Sequence, residues 1–313
     1  MILFLRRLSL SFLLMFCAMD ASRAVEWAAV IVSSERGTAY QEAVAAVLDE
    51  LSRGGVGRGE VTHVTAEDWR AGKAQNARLF IALGVEAASV LARSDVKVPV
   101  LSTLLSRSSF ERVLRDSGRR VSAQFTALYF NQPLTRQLDL VRVALPDARR
   151  VGVLLGSQSL TQQAQLEEAA WTRNLKLVIT RVPPQEPVFT DLKKILEEVD
   201  LLLAIADPQI YNSNNIQNIL LTSFRARIPM VAFSPTYVRA GALLAVYSTP
   251  TQIGQQAGAM ARGFILGRPL GLPQYPQDFE VSVNEYVARS LGLRLEPQAL
   301  VAQVRRLEKG PGS

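Results

Sequence analysis

The sequence predicts an α/β protein of two similar lobes, each a parallel sheet flanked by helices, and three observations carry that reading. Short unbroken apolar runs recur at residues 27–32 (WAAVIV), 151–155, 201–205 and 228–233, as strands buried on both faces require. Amphipathic helical stripes separate these runs, so successive strands are expected to pair in parallel rather than as hairpins. The strand and helix unit then runs twice along the chain, with no long linker between the halves.

Composition fits this architecture. The chain has 313 residues, 48% hydrophobic and 20% charged, enough for one large or two medium globular domains. At the N-terminus Arg6 and Arg7 precede an apolar run over residues 8–16. That run is too short to span a bilayer and has the length of a secretory leader, with a membrane anchor or a buried first helix as the alternative reading. Ser22 and Ala24 put small side chains where a signal peptidase reads, so residues 1–24 are expected to be removed and the protein exported to the periplasm. Cys17 is the only cysteine; bulky Met15 and Phe16 stand before it where a lipid attachment site has small residues. The mature chain then holds no thiol and relies on its core. Net charge is +7, and the chain stays basic without Arg6, Arg7, Arg23 and Asp20. Arginines come in scattered pairs, Arg119-Arg120, Arg149-Arg150 and Arg305-Arg306. With no aromatics interleaved, this is a solvated surface rather than a nucleic-acid footprint.

Taken in order, residues 27–32 form the first strand and end in Ser33-Ser34. A helix follows with Tyr40, Val44, Val47, Leu48 and Leu51 on one face, stopped by Gly54-Gly55. Strands are expected at 61–64, 78–83 and 98–101, with short helices between. Residues 121–130 alternate in part, as a strand leaving one sheet for another does. Pro133 opens a helix with the stripe Leu134, Leu138, Val141 and Leu145. The second half begins at 151–155, ending in Gly156-Ser157, and continues with a helix over 160–171, a strand over 177–182 and a helix marked by Phe189, Leu192, Leu196 and Val199. After the strand at 201–205, Ser213 and Asn214 are expected to cap a helix carrying Ile216, Ile219, Leu220 and Phe224. The strand at 228–233 leads through a turn to another strand and a helix with Ile253, Ala257, Met260 and Phe264 on its buried side. The Pro- and Gly-rich stretch 268–279 reads as a second crossing between lobes, before a strand ending at Val283, an Asn284-capped helix and a last helix after Pro297. The expected division is residues 1–24 as leader, 25–130 with about 250–275 as lobe 1, and 131–249 with about 276–313 as lobe 2.

Catalytic constellations are scarce. The one histidine, His63, lies in a short strand and reads as a packing or surface residue. Without further histidines or cysteines there is no zinc spacing, and no P-loop, Gly-x-Ser-x-Gly elbow or acidic calcium loop is present. No enzymatic activity, cofactor or metal is expected. What remains is a set of small polar and aromatic groups at strand ends, where parallel sheets bind small molecules. Ser33, Ser34, Gly84, Ser102 and Thr103 come from the first half; Gly156, Ser157, Asp207, Tyr211, Asn212, Ser234 and Tyr247 from the second. Helix capping or loop solvation is the plainer role for Ser33, Ser157 and Asn212. Asp207 follows an apolar strand and precedes Pro208, a position from which it can pair with a ligand amine or an arginine of the other lobe, or brace a turn.

The order of several short motifs resembles the substrate-binding components of ABC transporters, of the periplasmic binding protein-like type I fold. These are LDLVRVALPDARRVGVLLG over 138–156, the Asp200 to Asp207 segment, ARIPMVAF over 226–233, VRAGAL over 238–243, Ile253-Gly254, Leu266-Gly267, Val283-Asn284 and residues 288–292. The resemblance covers most of the mature chain. It implies two lobes joined by three strands, closure on a ligand held in the cleft, and delivery to permease subunits. Asp207 matches the family's acidic residue that can face a ligand amine, and Ser234 lies in the adjoining loop. Thr249 and Pro250 stand where the family usually has Asp-Tyr, and Val85 replaces a threonine, so the resemblance implies a small organic ligand without naming it. The competing reading is a periplasmic accessory protein that uses the same clamshell to signal to a membrane receptor or kinase.

Overall fold

The computed structural model describes residues 26–184 and 186–309. The expected leader, its cleavage site and Cys17 lie outside the described residues.

The first sheet contains β1 (Ala29–Ser33), β2 (Val61–Thr65), β3 (Phe80–Leu83), β4 (Val100–Thr103) and β5 (Phe125–Ala127), all parallel, in the order β2-β1-β3-β4-β5. One face is covered by α2 (Ala66–Arg70), α3 (Val85–Arg93) and α4 (Arg107–Ser117). There Phe110 stacks on Phe125 and Trp69 meets Phe80 edge-on. The other face is covered by α1 (Thr38–Arg53) and by a helix from far along the chain, α10 (Pro250–Ile265). Small residues set the closeness of that helix pair. A Cβ on Gly254 would lie 2.5 Å from the Ala43 carbonyl oxygen, and one on Gly258 would lie 2.6 Å from Glu50 Cβ. Glu50, buried between the helices, pairs with Arg53 and with Arg262 of α10.

The second sheet contains β6 (Arg150–Leu155), β7 (Lys176–Arg181), β8 (Leu201–Leu203), β9 (Met230–Ala232), β10 (Leu244–Tyr247) and β11 (Glu280–Val283), in the order β11-β10-β9-β8-β6-β7. All neighbours are parallel except β10 and β11. α5 (Leu134–Ala144), α6 (Gln163–Trp171), α11 (Glu285–Ser290) and α12 (Pro297–Lys309) pack on one face. α7 (Val188–Leu196), α8 (Ile216–Arg225) and α9 (Pro235–Ala240) pack on the other.

Two local readings change. The connection between β9 and β10 was expected to be a turn, yet α9 occupies part of it. Ser234 accepts the Thr236 amide as its N-cap, and Pro235 stands at the first helical position, where its missing N–H is no loss. The cap of α8 is not Ser213 or Asn214. The N-cap position is Asn215, without a side-chain bond, and Asn212 Oδ1 accepts the amides of Asn214 and Asn215, at 3.0 and 3.2 Å, in the turn before the helix.

The chain crosses between the sheets three times, at residues 128–133, 248–249 and 266–279. The first and third crossings run side by side: Tyr129 N donates to Gln274 O, and Gln274 N to Ala127 O, both at 2.9 Å.

Candidate functional site

In an open parallel sheet the loops part, and leave a crevice, where the chain reverses its direction of winding. In the first sheet that point lies between β1 and β3, and in the second between β6 and β8. The residues just beyond those four strands are Ser34, Gly84, Gly156 and the 204–207 segment. The two sheets are joined beside these points by the segments after β4 and β6. Arg107, which opens α4 after β4, donates from Nη1 to Gln165 Oε1 near the start of α6 at 2.9 Å.

At the first switch point Ser34 donates its hydroxyl to Leu83 O at 3.0 Å and accepts the Ala87 amide at 3.0 Å, capping α3 from the neighbouring strand. Gly84 takes φ +88°, a conformation that disfavours side chains, and a Cβ there would lie 2.6 Å from Ser34 Oγ and 2.7 Å from Tyr40 OH. Tyr40, which the sequence reading placed only in the core stripe of α1, therefore belongs to this cluster. Burial, with Glu35 nearby, raises its phenol pKa. Ser33 points away and is fully buried, its hydroxyl 2.9 Å from His63 Nε2. Burial lowers the His63 pKa, and Arg36 adds to the effect. Ser102 and Thr103, on β4, are also fully buried, and their hydroxyls have no partner among the described residues.

The second switch point is built around Asp207. Its Oδ2 accepts the Gln158 amide at 3.1 Å, the Ser159 amide at 2.9 Å and the Ser159 hydroxyl at 2.8 Å, while Oδ1 accepts the Gln209 amide at 2.9 Å. The side chain of Gln209 completes the clasp: Oε1 accepts the Ser157 amide, and Nε2 donates to the carbonyls of Val182 and Pro183. Three loops, after β6, β7 and β8, are thus tied together. Gly156 is required by the same arrangement, since a Cβ there would lie 2.8 Å from Asp207 Oδ2.

Asp207 therefore corrects the expectation of a carboxylate facing a ligand. It is 1% exposed and its oxygens hold protein donors. Of the roles open to it in the sequence, bracing the turn is the one seen. Tyr211 is corrected in the same sense. It is 5% exposed, its hydroxyl has no partner among the described residues, and burial, with Asp207 second, drives its phenol pKa far up. Ser33 and Ser102 join it, as their side chains face the protein interior. Asn212 is turned into its own loop.

Of the remaining residues near these strand ends, Ser157 is exposed, and Ser34, Gln158, Gln209, Ser234 and Tyr247 are half-buried. Tyr247 donates to Glu280 Oε2 at 3.1 Å. Beside them, half-buried Phe233 and Tyr237 meet edge-on with centroids 5.2 Å apart, and Phe233 also meets Tyr211 edge-on. The short helix α9 delivers Tyr237, which is why a turn reading of that stretch missed it. Thr249 and Pro250 also have a local reason. Thr249 and Gln252 form a reciprocal capping box, with Pro250 at the first position of α10.

A cavity of about 450 Å³ lies beside the crossings, lined by Arg107, Pro133, Leu134, Gln165 and Tyr275 among others. A larger hollow of about 590 Å³, with Glu26, Trp69, Asn76 and Phe80 in its wall, lies at the opposite, amino ends of the first sheet. It is remote from both switch points. No group of three or more histidine, cysteine, aspartate or glutamate side chains among the described residues is placed to hold a metal ion, and no described helix is long and apolar enough to cross a membrane.

Two sheets, each with one switch point, joined by three crossings, give the two-lobe architecture of periplasmic binding proteins. Residues 61–305 match the ABC transporter substrate binding protein family, and the chain belongs to it. That family is one of solute binders rather than an enzyme class. Solved structures share the fold at low identity. A ligand-free, open substrate-binding protein with adhesive properties from Clostridium difficile is 17% identical with a TM-score of 0.68, covering 86% of this chain and 95% of its own. A conserved domain protein from Vibrio cholerae is 18% identical with a TM-score of 0.61, covering 88% and 97%. A domain from Streptococcus pneumonia solved with L-Trp is 16% identical with a TM-score of 0.60, covering 88% and 98%. No curated protein matches the sequence.

Proposed function

We propose that this protein is exported to the periplasm, captures a small organic ligand between its two switch points, and delivers that ligand to an ABC transporter permease. The observation that carries the reading is the coincidence of four independently positioned loops, after β1, β3, β6 and β8, at the two places where parallel sheets open a crevice. The side chains of Ser157 and Gln158 offer hydrogen bonds there, those of Ser34 and Gln209 being engaged within the protein, and Phe233, Tyr237 and Tyr247 offer ring surface. A ligand with a flat or apolar face and a few polar groups suits this lining. An α-amino acid needs an anionic partner for its ammonium. Asp207 already serves four protein donors, so a ligand ammonium would have to find its partner elsewhere.

Ligand contacts from both lobes form together only when the lobes close, so binding is expected to be one-to-one and to compact the molecule. The test uses protein released by osmotic shock from its native host. Its intact mass should correspond to a chain beginning at or near Val25, and native mass spectrometry should find a small molecule bound one-to-one. Small-angle scattering before and after removal of that molecule should show a larger radius of gyration without it. An unchanged radius would remove the clamshell mechanism, and a retained Met1 would remove export.

A further inference from the structure

Arg136 stands in the first turns of α5, away from the cleft, and is 6% exposed. Its guanidinium gathers groups from three separate parts of the chain. Nη1 donates to Gln132 Oε1 at 2.7 Å and to Pro276 O at 2.8 Å, Nε donates to Glu308 Oε1 at 2.5 Å, and the plane lies 4.2 Å from the centre of the Phe279 ring. Gln132 extends the network, donating from Nε2 to Ser248 Oγ at 2.8 Å, and Ser248 donates in turn to Asp278 O at 2.6 Å. Asp278 also accepts from Arg305 of α12 at 2.9 Å. Gln132 belongs to the first crossing, Ser248 to the second, and Pro276 and Asp278 to the third. One buried cation, supported by the C-terminal helix, therefore holds all three crossings to the second lobe.

The same crossings are held to the first lobe a residue or two away. Phe130 N donates to Leu105 O, and Asn131 Oδ1 accepts the Arg107 amide at 2.9 Å. Thr249 N donates to Gln252 Oε1 of α10, Gln256 Nε2 of α10 donates to Tyr275 O, and the Gln277 amide donates to Gln256 Oε1. In each crossing the hold passes from one lobe to the other between neighbouring residues: between 131 and 132, between 248 and 249, and within 275–278, where α10 holds Tyr275 and Gln277 and the Arg136 network holds Pro276 and Asp278. Rotation between two rigid bodies is absorbed where the hold on the chain passes from one body to the other.

We propose that Arg136 is a positioning residue for ligand capture: by clamping Gln132, Pro276 and, through Gln132, Ser248, it confines the bend to those three links and fixes the resting angle between the lobes. A binding protein whose open form is held near one angle loses less conformational freedom on closing, so the clamp sets affinity without touching ligand. This inference rests on the clamshell reading above. Its test is arranged to fail separately.

Spin labels are placed at Glu42→Cys on α1 and Gln217→Cys on α8, both exposed, in a chain carrying Cys17→Ser. Pulsed dipolar spectroscopy then gives the distribution of lobe-to-lobe distances in ligand-free protein. Arg136→Lys keeps the charge but not the fork that reaches several acceptors; it should broaden and shift the distribution relative to the parent. Glu308→Gln keeps an acceptor at the same place and should give a smaller broadening. A distribution for Arg136→Lys that superimposes on the parent, with only a lowered melting temperature, would overturn the proposal by making the network purely structural. If Arg136→Lys does not fold, Glu308→Gln decides, and an unchanged distribution there overturns it. A low-molecular-weight extract of the native periplasm added to the parent tests the other reading. If its distance does not shorten while Arg136→Lys remains broad, ligand-driven closure falls and the hinge assignment stands.

Discussion

Replacing Asp207 separates two kinds of importance, because its carboxylate sits at the cleft yet is turned inward. Asp207→Ala removes the acceptor for four donors at once. Two of these, the amide and hydroxyl of Ser159, belong to a residue that is 0% exposed, and water cannot replace the lost partner without opening the loop. A buried donor left unsatisfied costs about 1–3 kcal/mol, so this pair costs up to about 6 kcal/mol, and less to the extent that the Ser159 hydroxyl turns to Gly156 O, 3.4 Å away. The amides of Gln158 and Gln209 are only partly buried and regain water, adding little. The expected loss is about 4 kcal/mol, which for a lobe of this size lowers the melting temperature by roughly 8–16 °C. Asp207→Asn should be nearly as damaging. An amide cannot accept at both oxygen positions, and its N–H groups would face either the Ser159 donors or the Gln209 amide. Thermal melting by circular dichroism reads the stability, and titration calorimetry with the copurified small molecule reads the affinity. If Asp207→Ala melts like the parent while binding falls more than about hundredfold, about 2.7 kcal/mol, the carboxylate meets ligand directly and the inward reading is refuted.

Two further outcomes follow from packing and protonation. Gly254→Ala drives a methyl group against the Ala43 carbonyl oxygen, which is backbone and cannot swing aside; an overpacking cost of about 1–3 kcal/mol is expected in urea unfolding, whereas Ala259→Ser, on the exposed side of the same helix, should change little. His63 has a folded pKa below its ordinary value, from burial first and Arg36 second. The unfolded chain therefore takes up a proton that the native state resists. Stability is complete above about pH 6.5 and declines as pH falls toward the depressed folded pKa. In His63→Gln the part of that decline that sets in below about pH 6.5 should disappear from unfolding midpoints, and a slope identical to the parent would contradict it.

Much of the architecture was legible because burial on both faces leaves an unmistakable trace. The runs around Val30, Val153, Leu202 and Val231 all lie in buried strands, and Asn284 does cap the helix assigned to it. Shorter features were harder. The six residues of α9 follow Ser234 and begin with Pro235, a Ser-Pro pair that reads equally as a turn, and only Val238 among them is buried. The third strand starts at Phe80 rather than Arg78, since the backbone of Arg78 is bonded to Trp27 outside the ladder. At the site, strand-end positions could be read but side-chain directions could not. Asp207 turns inward because Gln158 and Ser159 present their amides to it from another loop, and nothing near Asp207 in sequence records that. Tyr40 looked like one more apolar position in a helical stripe, and its hydroxyl matters only because Gly84 leaves room beside Ser34.

The pairing of α1 with α10 has a consequence for the order in which the molecule can take shape. Ribosomes and export channels release a chain from its N-terminus, so β1 to β5 emerge well before residues 250–265. Until then Val44, Val47, Ile31, Ile81 and Leu101 lack Ile253, Ala257 and Ala261, the residues that close their core. The first lobe to appear is therefore the one that cannot be finished early. The second-sheet strands β6 to β10, with α5 to α9, are complete in sequence before α10 arrives, and a contact this distant along the chain is slow to form. A nascent first lobe thus stays open for most of synthesis, the unfolded condition that a threaded route across a membrane demands.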